Sequence, residues 1–194
     1  MTQENTIPGM TPTESKKFQI NHPGQYLDHM IKQTRTHHVQ LSIMADSKAN
    51  MLLTVATVVI TLSVPHLVDP KLRWGMLVLI VFSFITIVLS TYAVMPKLPL
   101  MYKPDQKPDM QSPFFNLLFF GSFVRLSLDE YVDAMEEVMN DPSSSYEAMV
   151  KEVYTLGVFL ATKKYRFIRL AYLAFIFGVF ASMMVLIFTG NLMG

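Results

Sequence analysis

Three long stretches of uncharged, mostly apolar residues divide the chain, at positions 49–68, 74–95 and 170–190. Each has about 20 residues, which is the length a helix needs to cross about 30 Å of hydrocarbon. The pattern therefore predicts three transmembrane helices. A fourth apolar run, at 112–124, is too short to span as a helix and predicts a buried or interfacial segment.

The polar parts of the chain predict helices that continue out of the membrane. Residues 1–24 mix Pro, Gly, Thr and charge without periodicity, which is typical of a flexible lead-in. At 25–48 apolar residues recur at helical spacing and the next proline is Pro65, so a cytoplasmic stalk should run directly into the first span. Residues 96–169 predict a cytoplasmic helical segment, which opens with a proline-rich connector.

Local signals place two helices within this segment. Ser127 and Glu130 form a capping-box pattern that predicts a helix start, and the Asp141-Pro142 pair predicts its end. From Ser144 onward a second long helix is expected to continue through the third span. The predicted fold is an all-α membrane protein: three transmembrane helices with a small helical cytoplasmic bundle built on extensions of the first and third spans.

Composition supports a membrane protein and removes several function classes. Hydrophobic residues make up 51% of the 194 residues and charged residues 16%, against roughly a quarter charged in soluble domains. The net charge of +1 offers no footprint for nucleic acid, so no nucleic-acid partner is expected. The chain has no Cys and no phosphate-binding glycine loop, catalytic-triad spacing or metal-ligating motif. We therefore expect neither an enzyme nor a metal site.

Basic residues predict the orientation, because Lys and Arg are retained on the cytoplasmic side of a membrane. The tail after the third span has no basic residue, whereas several precede the first and third spans: Lys32, Arg35, Lys48, Lys163, Lys164, Arg166 and Arg169. The N-terminus and the middle segment are therefore expected in the cytoplasm, and the C-terminus on the opposite side.

A polar stripe follows one face of the first span, where Asn50, Thr54, Thr57 and Thr61 recur at helical spacing. Such a stripe must face protein or water, and two interpretations stay open: association with other helices, or the lining of a regulated aqueous path. On the third span, Gly178 is the centre of a pattern of small residues that permits close helix approach.

Charged residues also lie at the expected cytoplasmic lip of the first span, where an ionisable group is costly unless it is paired or near headgroups. Asp46 and Lys48, together with Asn50, are candidates for coupling the cytoplasmic part to the spans. The alternative is that Lys48 extends towards the headgroups while Asp46 is solvated.

The run MADSKAN at 44–50, which leads into an apolar span, resembles the transmembrane effectors of Pycsar bacterial antiphage systems. Further matching features are FFG at 119–121, DEY at 129–131, Tyr154, and Lys164-Tyr165 before the final span. In that family a pyrimidine cyclase answers phage infection by producing cyclic CMP or cyclic UMP, and the membrane effector then impairs the inner membrane and kills the host. The resemblance covers about residues 30–186 and implies this role here, in a bacterial inner membrane with a periplasmic C-terminus.

A cyclic nucleotide requires a cation for its phosphate and an apolar or aromatic surface for its base. The candidate ligand contacts in the expected cytoplasmic part are Arg35, Arg125, Lys163, Lys164, Tyr131 and Tyr154. Three spans seldom enclose a pore alone, so a homo-oligomer is expected, and the implied functional partner is a pyrimidine nucleotide cyclase acting through its product. The alternative function is a constitutive membrane-anchored protein-interaction module.

Overall fold

The computed structural model describes residues 18–95, 110, 112 and 115–192, of which 85% are helical and none are in a strand. The helices are α1 (Gln25–Ser63), α2 (Arg73–Val94), α3 (Phe120–Phe123), α4 (Leu128–Asn140), α5 (Pro142–Phe159) and α6 (Arg166–Leu192). A 3₁₀ turn at Val64–Val68 extends α1, and a π-helical segment at Leu160–Tyr165 joins α5 to α6. Most of the predicted lead-in and of the proline-rich connector lies outside the described residues.

Three helical runs are long and apolar enough to cross a membrane, namely Gln25–Val68, Arg73–Val94 and Pro142–Gly190. The first has 44 residues and the third has 49, which at 1.5 Å per residue gives lengths of about 66 and 74 Å. Both therefore extend well beyond the roughly 30 Å of a hydrocarbon core. The predicted continuity of these two helices is confirmed.

Local signals set the ends of the shorter helices. The Ser127 hydroxyl accepts a hydrogen bond from the Glu130 backbone N–H at 3.3 Å, and the Glu130 carboxylate accepts one from the Ser127 backbone N–H at 2.9 Å. The predicted capping box is therefore present. Asp141 in turn caps α5 by accepting from the Ser144 backbone N–H at 3.0 Å. The second long helix begins at Pro142 rather than at Ser144, because proline suits the first helical position.

In its described part, residues 112 and 115–124, the short apolar run forms turns and the four-residue α3 rather than a spanning helix, as predicted. Asn116 and Leu117 are buried, at 2% and 7% exposure, whereas Phe120 and Val124 are exposed.

Small residues line the contact between α2 and α6. The buried residues of α2 are Gly75, Ser83, Thr86, Ser90 and Ala93. The Ser182 hydroxyl on α6 donates to the Gly75 carbonyl at 2.9 Å, and the Thr86 hydroxyl on α2 donates to the Ala171 carbonyl on α6 at 3.5 Å. Because lipid removes the hydrophobic drive between helices, close packing and such hydrogen bonds hold membrane helices together.

All three long helices meet in one small cluster. Ala45 and Ala49 of α1, Ala93 of α2 and Ile168 of α6 are buried together. The side of α1 that faces the rest of the chain is therefore built mainly from alanine, which allows a close approach of the helix backbones.

Gly178 tests this packing, because a Cβ at that position would overlap the Cβ of Phe82 on α2. We expect Gly178→Ala to lower the free energy of unfolding in detergent by about 1–3 kcal/mol, since the helices must move apart. Gly190→Ala is the control, because a Cβ there meets nothing within 4 Å. Thermal unfolding followed by circular dichroism measures both. Equal melting temperatures for the two variants would contradict the close α2–α6 contact.

Candidate functional site

An ion pair joins α1 to the long helical run that α5, the π-helical segment and α6 form. The Lys164 Nζ, in the π-helical segment, lies 2.7 and 2.8 Å from the two carboxylate oxygens of Asp46 on α1. It also donates to the Ser42 hydroxyl at 2.8 Å. The Lys164 side chain is 12% exposed and that of Asp46 is 40% exposed. Because the lysine is largely shielded from water, removal of its carboxylate partner would leave a poorly solvated charge.

The π-helical segment supplies a further contact to α1. The Tyr165 hydroxyl donates to the Leu41 backbone carbonyl at 3.1 Å. Turns of π-helix within α-helices are rare and occur frequently at functional sites. Lys164 and Tyr165 together fix this irregular turn to α1, immediately before the apolar part of the third long helix.

Two more contacts join α1 to α5. The Arg35 Nε donates to the Glu152 carboxylate at 2.7 Å, but the Arg35 side chain is 57% exposed, and such pairs contribute little stability. The buried Tyr146 hydroxyl donates to the Asp28 carboxylate at 2.6 Å and accepts from the Gly24 backbone N–H at 3.3 Å. The hydrogen bond to Asp28, with burial as the second cause, raises the pKa of Tyr146 above its ordinary value of 10.0.

The coupling residues predicted at the lip therefore have different surroundings. Asp46 is paired with Lys164, whereas Lys48 and Asn50 are exposed on α1. The ion-pair partner of Asp46 comes from a segment 118 residues away in sequence. No local pattern around either residue could have identified it.

The six predicted ligand contacts lie on several elements. Arg35 is on α1, Arg125 is in the turn after α3, and Tyr131 is on α4, where its ring contacts that of Phe123 at 4.9 Å. Tyr154 is on α5 and is 68% exposed.

The remaining two, Lys163 and Lys164, belong to the π-helical segment. Among Arg35, Arg125, Lys164, Tyr131 and Tyr154, no described hydrogen bond, ion pair or ring contact joins one to another. Lys164 would also have to leave Asp46 to bind a ligand phosphate.

The polar stripe of the first span lies on the exposed side of α1. Asn50, Thr54, Thr57 and Thr61 are all exposed, whereas the buried residues of α1 lie on its other face. The three threonine hydroxyls donate to backbone carbonyls one turn earlier, at 3.0, 2.8 and 2.9 Å. This back-bonding satisfies the hydroxyl donors without a second helix. Gly178, by contrast, is buried against α2.

A groove of about 540 Å³ opens between α1 and the junction of α5 with α6. Its lining includes His38, Tyr165, Arg166 and Arg169. The volume suits a small molecule, for which sites of about 300–1,000 Å³ are typical. The sequence had indicated Arg166 and Arg169 only as signals of orientation, because they lie on an apparently uniform helix.

In a comparison with protein families, the model of the Pycsar effector protein domain matches residues 29–190. Comparison with curated proteins and with solved structures finds no match. The matched range includes the Asp46–Lys164 pair and nearly all of the three apolar helical runs. The predicted resemblance is therefore confirmed over most of the chain. This membrane protein belongs to the Pycsar effector family, whose members are effectors of antiphage defence.

Proposed function

We propose that this protein is activated by a cyclic pyrimidine mononucleotide, cyclic CMP or cyclic UMP, and then impairs the bacterial inner membrane so that the infected cell dies. The nucleotide comes from a partner pyrimidine nucleotide cyclase, and the effector itself has no catalytic role. The N-terminus and residues 96–169 lie in the cytoplasm, where the helical parts outside the spans form the ligand-binding bundle. The C-terminus lies in the periplasm. Family membership and the distribution of Lys and Arg support this proposal.

The Asp46–Lys164 ion pair is the observation on which the proposal depends most. α1 and the α5–α6 run are each continuous from their polar ends into their apolar parts, so a displacement at the polar end moves a span. A ligand shifts such an equilibrium only by binding one arrangement better than the other. The pair lies beside Ala45 and Ala49, where the three helices pack, and therefore connects ligand binding to span packing.

The proposal also includes assembly of several copies of this protein in the membrane, because three spans seldom enclose a pore. The exposed stripe of Asn50, Thr54, Thr57 and Thr61 is the surface through which copies associate or around which water passes. One membrane hydrogen bond is worth only about 0.6 kcal/mol on average. Such a stripe therefore supports a reversible assembly better than a permanent one.

Ligand binding is the first expected outcome. The purified full-length protein in detergent should show a raised melting temperature with cyclic CMP or cyclic UMP, because a ligand that binds only the folded state stabilises it by about 2.7 kcal/mol at 100 times its Kd. Linear 5′-CMP is the control and should give a smaller shift. If neither cyclic nucleotide raises the melting temperature at millimolar concentration, the proposal fails and the constitutive anchor becomes the better account.

The ion pair should transmit the signal rather than bind the ligand. We expect Asp46→Asn to leave the affinity for the nucleotide within about threefold, a change of under 0.7 kcal/mol, because Asp46 lies at the membrane lip. The membrane potential of cells carrying this variant should no longer depend on co-expression of a cyclase, as a voltage-sensitive dye reports. The charge reversal Asp46→Lys with Lys164→Asp should restore the dependence.

Glu152→Gln is the matched control for this experiment, because it removes the exposed ion pair with Arg35 between the same two long helices. Such pairs contribute about 0–1 kcal/mol, so the cyclase-dependent response should persist. A normal response in Asp46→Asn cells, or its loss in Glu152→Gln cells, would show that the Asp46–Lys164 pair is not the coupling element.

A further inference from the structure

A separate cavity of about 520 Å³ lies between three parts of the chain: the turn that precedes α3, helix α4 and helix α5. Its lining includes Phe115, Asn116, Glu137, Glu147 and Lys151. The volume is within the range of small-molecule sites, and the wall combines apolar surface with several polar groups, as such sites do.

Asn116 lines this cavity and has an unsatisfied donor. The residue is 2% exposed, and its Oδ1 accepts the Leu118 backbone N–H at 2.9 Å. Because only the oxygen of the amide can accept, this bond fixes which end of the side chain is Nδ2. In the part of the chain that the structure describes, the buried Nδ2 has no hydrogen-bond partner. A buried donor without a partner is unfavourable, and an acceptor on a bound molecule would satisfy it.

The charges around the cavity define what such a ligand would look like. Lys151 Nζ lies 2.8 Å from the Glu147 carboxylate, and Glu137 adds a second carboxylate to the wall. A ligand that fits offers an acceptor to Asn116, a donor to a carboxylate, and an anionic group to Lys151. The edge of a pyrimidine base carries neighbouring donors and acceptors, and carboxylates accept from the cytosine amino group. The half-buried Phe115 ring adds a surface on which a base can stack.

We propose that this cavity binds the base of the activating pyrimidine nucleotide, with Asn116 Nδ2 donating a hydrogen bond to the base and Lys151 placed towards the phosphate. The inference rests on the proposed function and gives the place of ligand binding. Glu147 and Lys151 lie on α5, which continues through the π-helical segment into α6. A ligand held here therefore acts directly on the helix that carries Lys164.

Asn116→Asp is the sharpest test, because the variant keeps the acceptor for the Leu118 N–H and removes the donor. Isothermal titration of the full-length protein in detergent should show cyclic CMP binding at least about tenfold more weakly. Cyclic UMP should lose less where this side chain faces ring position 3, because uracil has an N3–H there that donates to a carboxylate, whereas cytosine has an acceptor at that position. The ratio of the two dissociation constants should thus change, which a purely structural role for Asn116 would not produce.

Asn140→Asp is the matched control, since it makes the same change at an exposed position outside the cavity lining. Its affinity for both nucleotides should stay within about twofold of the wild type, a change of under 0.5 kcal/mol. A second variant, Ala148→Leu, fills the cavity from α5 with a residue whose helix propensity is close to that of alanine, and circular dichroism checks that the helices are retained. This variant should also weaken binding at least tenfold.

Two different failures are distinguishable. If the wild type binds a cyclic pyrimidine nucleotide while Asn116→Asp and Ala148→Leu bind it equally well, the cavity is not the site and the proposed function stands. Equal losses for both nucleotides in Asn116→Asp, with unchanged binding in Ala148→Leu, would likewise overturn the assignment. If the wild type binds neither nucleotide, the proposed function itself fails.

Discussion

Lys164 and Asp46 occupy the last turns before their helices become uncharged, and their contact constrains how the helices can move. With only 12% of the Lys164 side chain exposed, the lysine cannot exchange its carboxylate partner for water without a substantial loss of stability. Neither helix can therefore slide or rotate past the other while the pair is intact. Beside the pair, Ala45, Ala49 and Ile168 are buried together in one cluster. The α2–α6 contact, with glycine and hydroxyl side chains at close approach, makes the second span part of the same unit.

The same arrangement gives a physical meaning to the length of the helices. A span that only anchors a protein needs about 20 residues, whereas the first and third runs have 44 and 49. The additional turns carry the contacts that join α1 to α5, including the Tyr146–Asp28 hydrogen bond and the Arg35–Glu152 pair. In the proposed function, a nucleotide bound beside α5 displaces that helix, and the Asp46–Lys164 ion pair transfers the displacement to the spans. The exposed polar stripe of the first span then becomes the surface at which copies meet.

Local and periodic features could be predicted from the sequence, whereas contacts between distant segments could not. The absence of proline between Gln25 and Pro65 predicted the continuous α1, and the Ser127–Glu130 spacing predicted the start of α4. Lys163 and Lys164 are adjacent and equally basic, so only the register set by the π-helical segment shows that Lys164 contacts Asp46. The polar stripe on the first span could be recognised in the sequence. Polar side chains in a span can face either protein or water, so the pattern did not show which face of the helix is buried. Asn116 was overlooked because its burial depends on packing against α4 and α5.

The most direct test of the account measures leakage through a defined membrane. The purified full-length protein would be reconstituted, in both orientations, into liposomes loaded with a self-quenching dye. Cyclic CMP, cyclic UMP or linear 5′-CMP would then be added to the outside of the liposomes. The account predicts dye release that increases with the concentration of a cyclic pyrimidine nucleotide and stays at the background level with the linear one. Release at the same rate without nucleotide, or no release at concentrations that saturate binding, would contradict the claim that a bound nucleotide acts through these helices on the membrane.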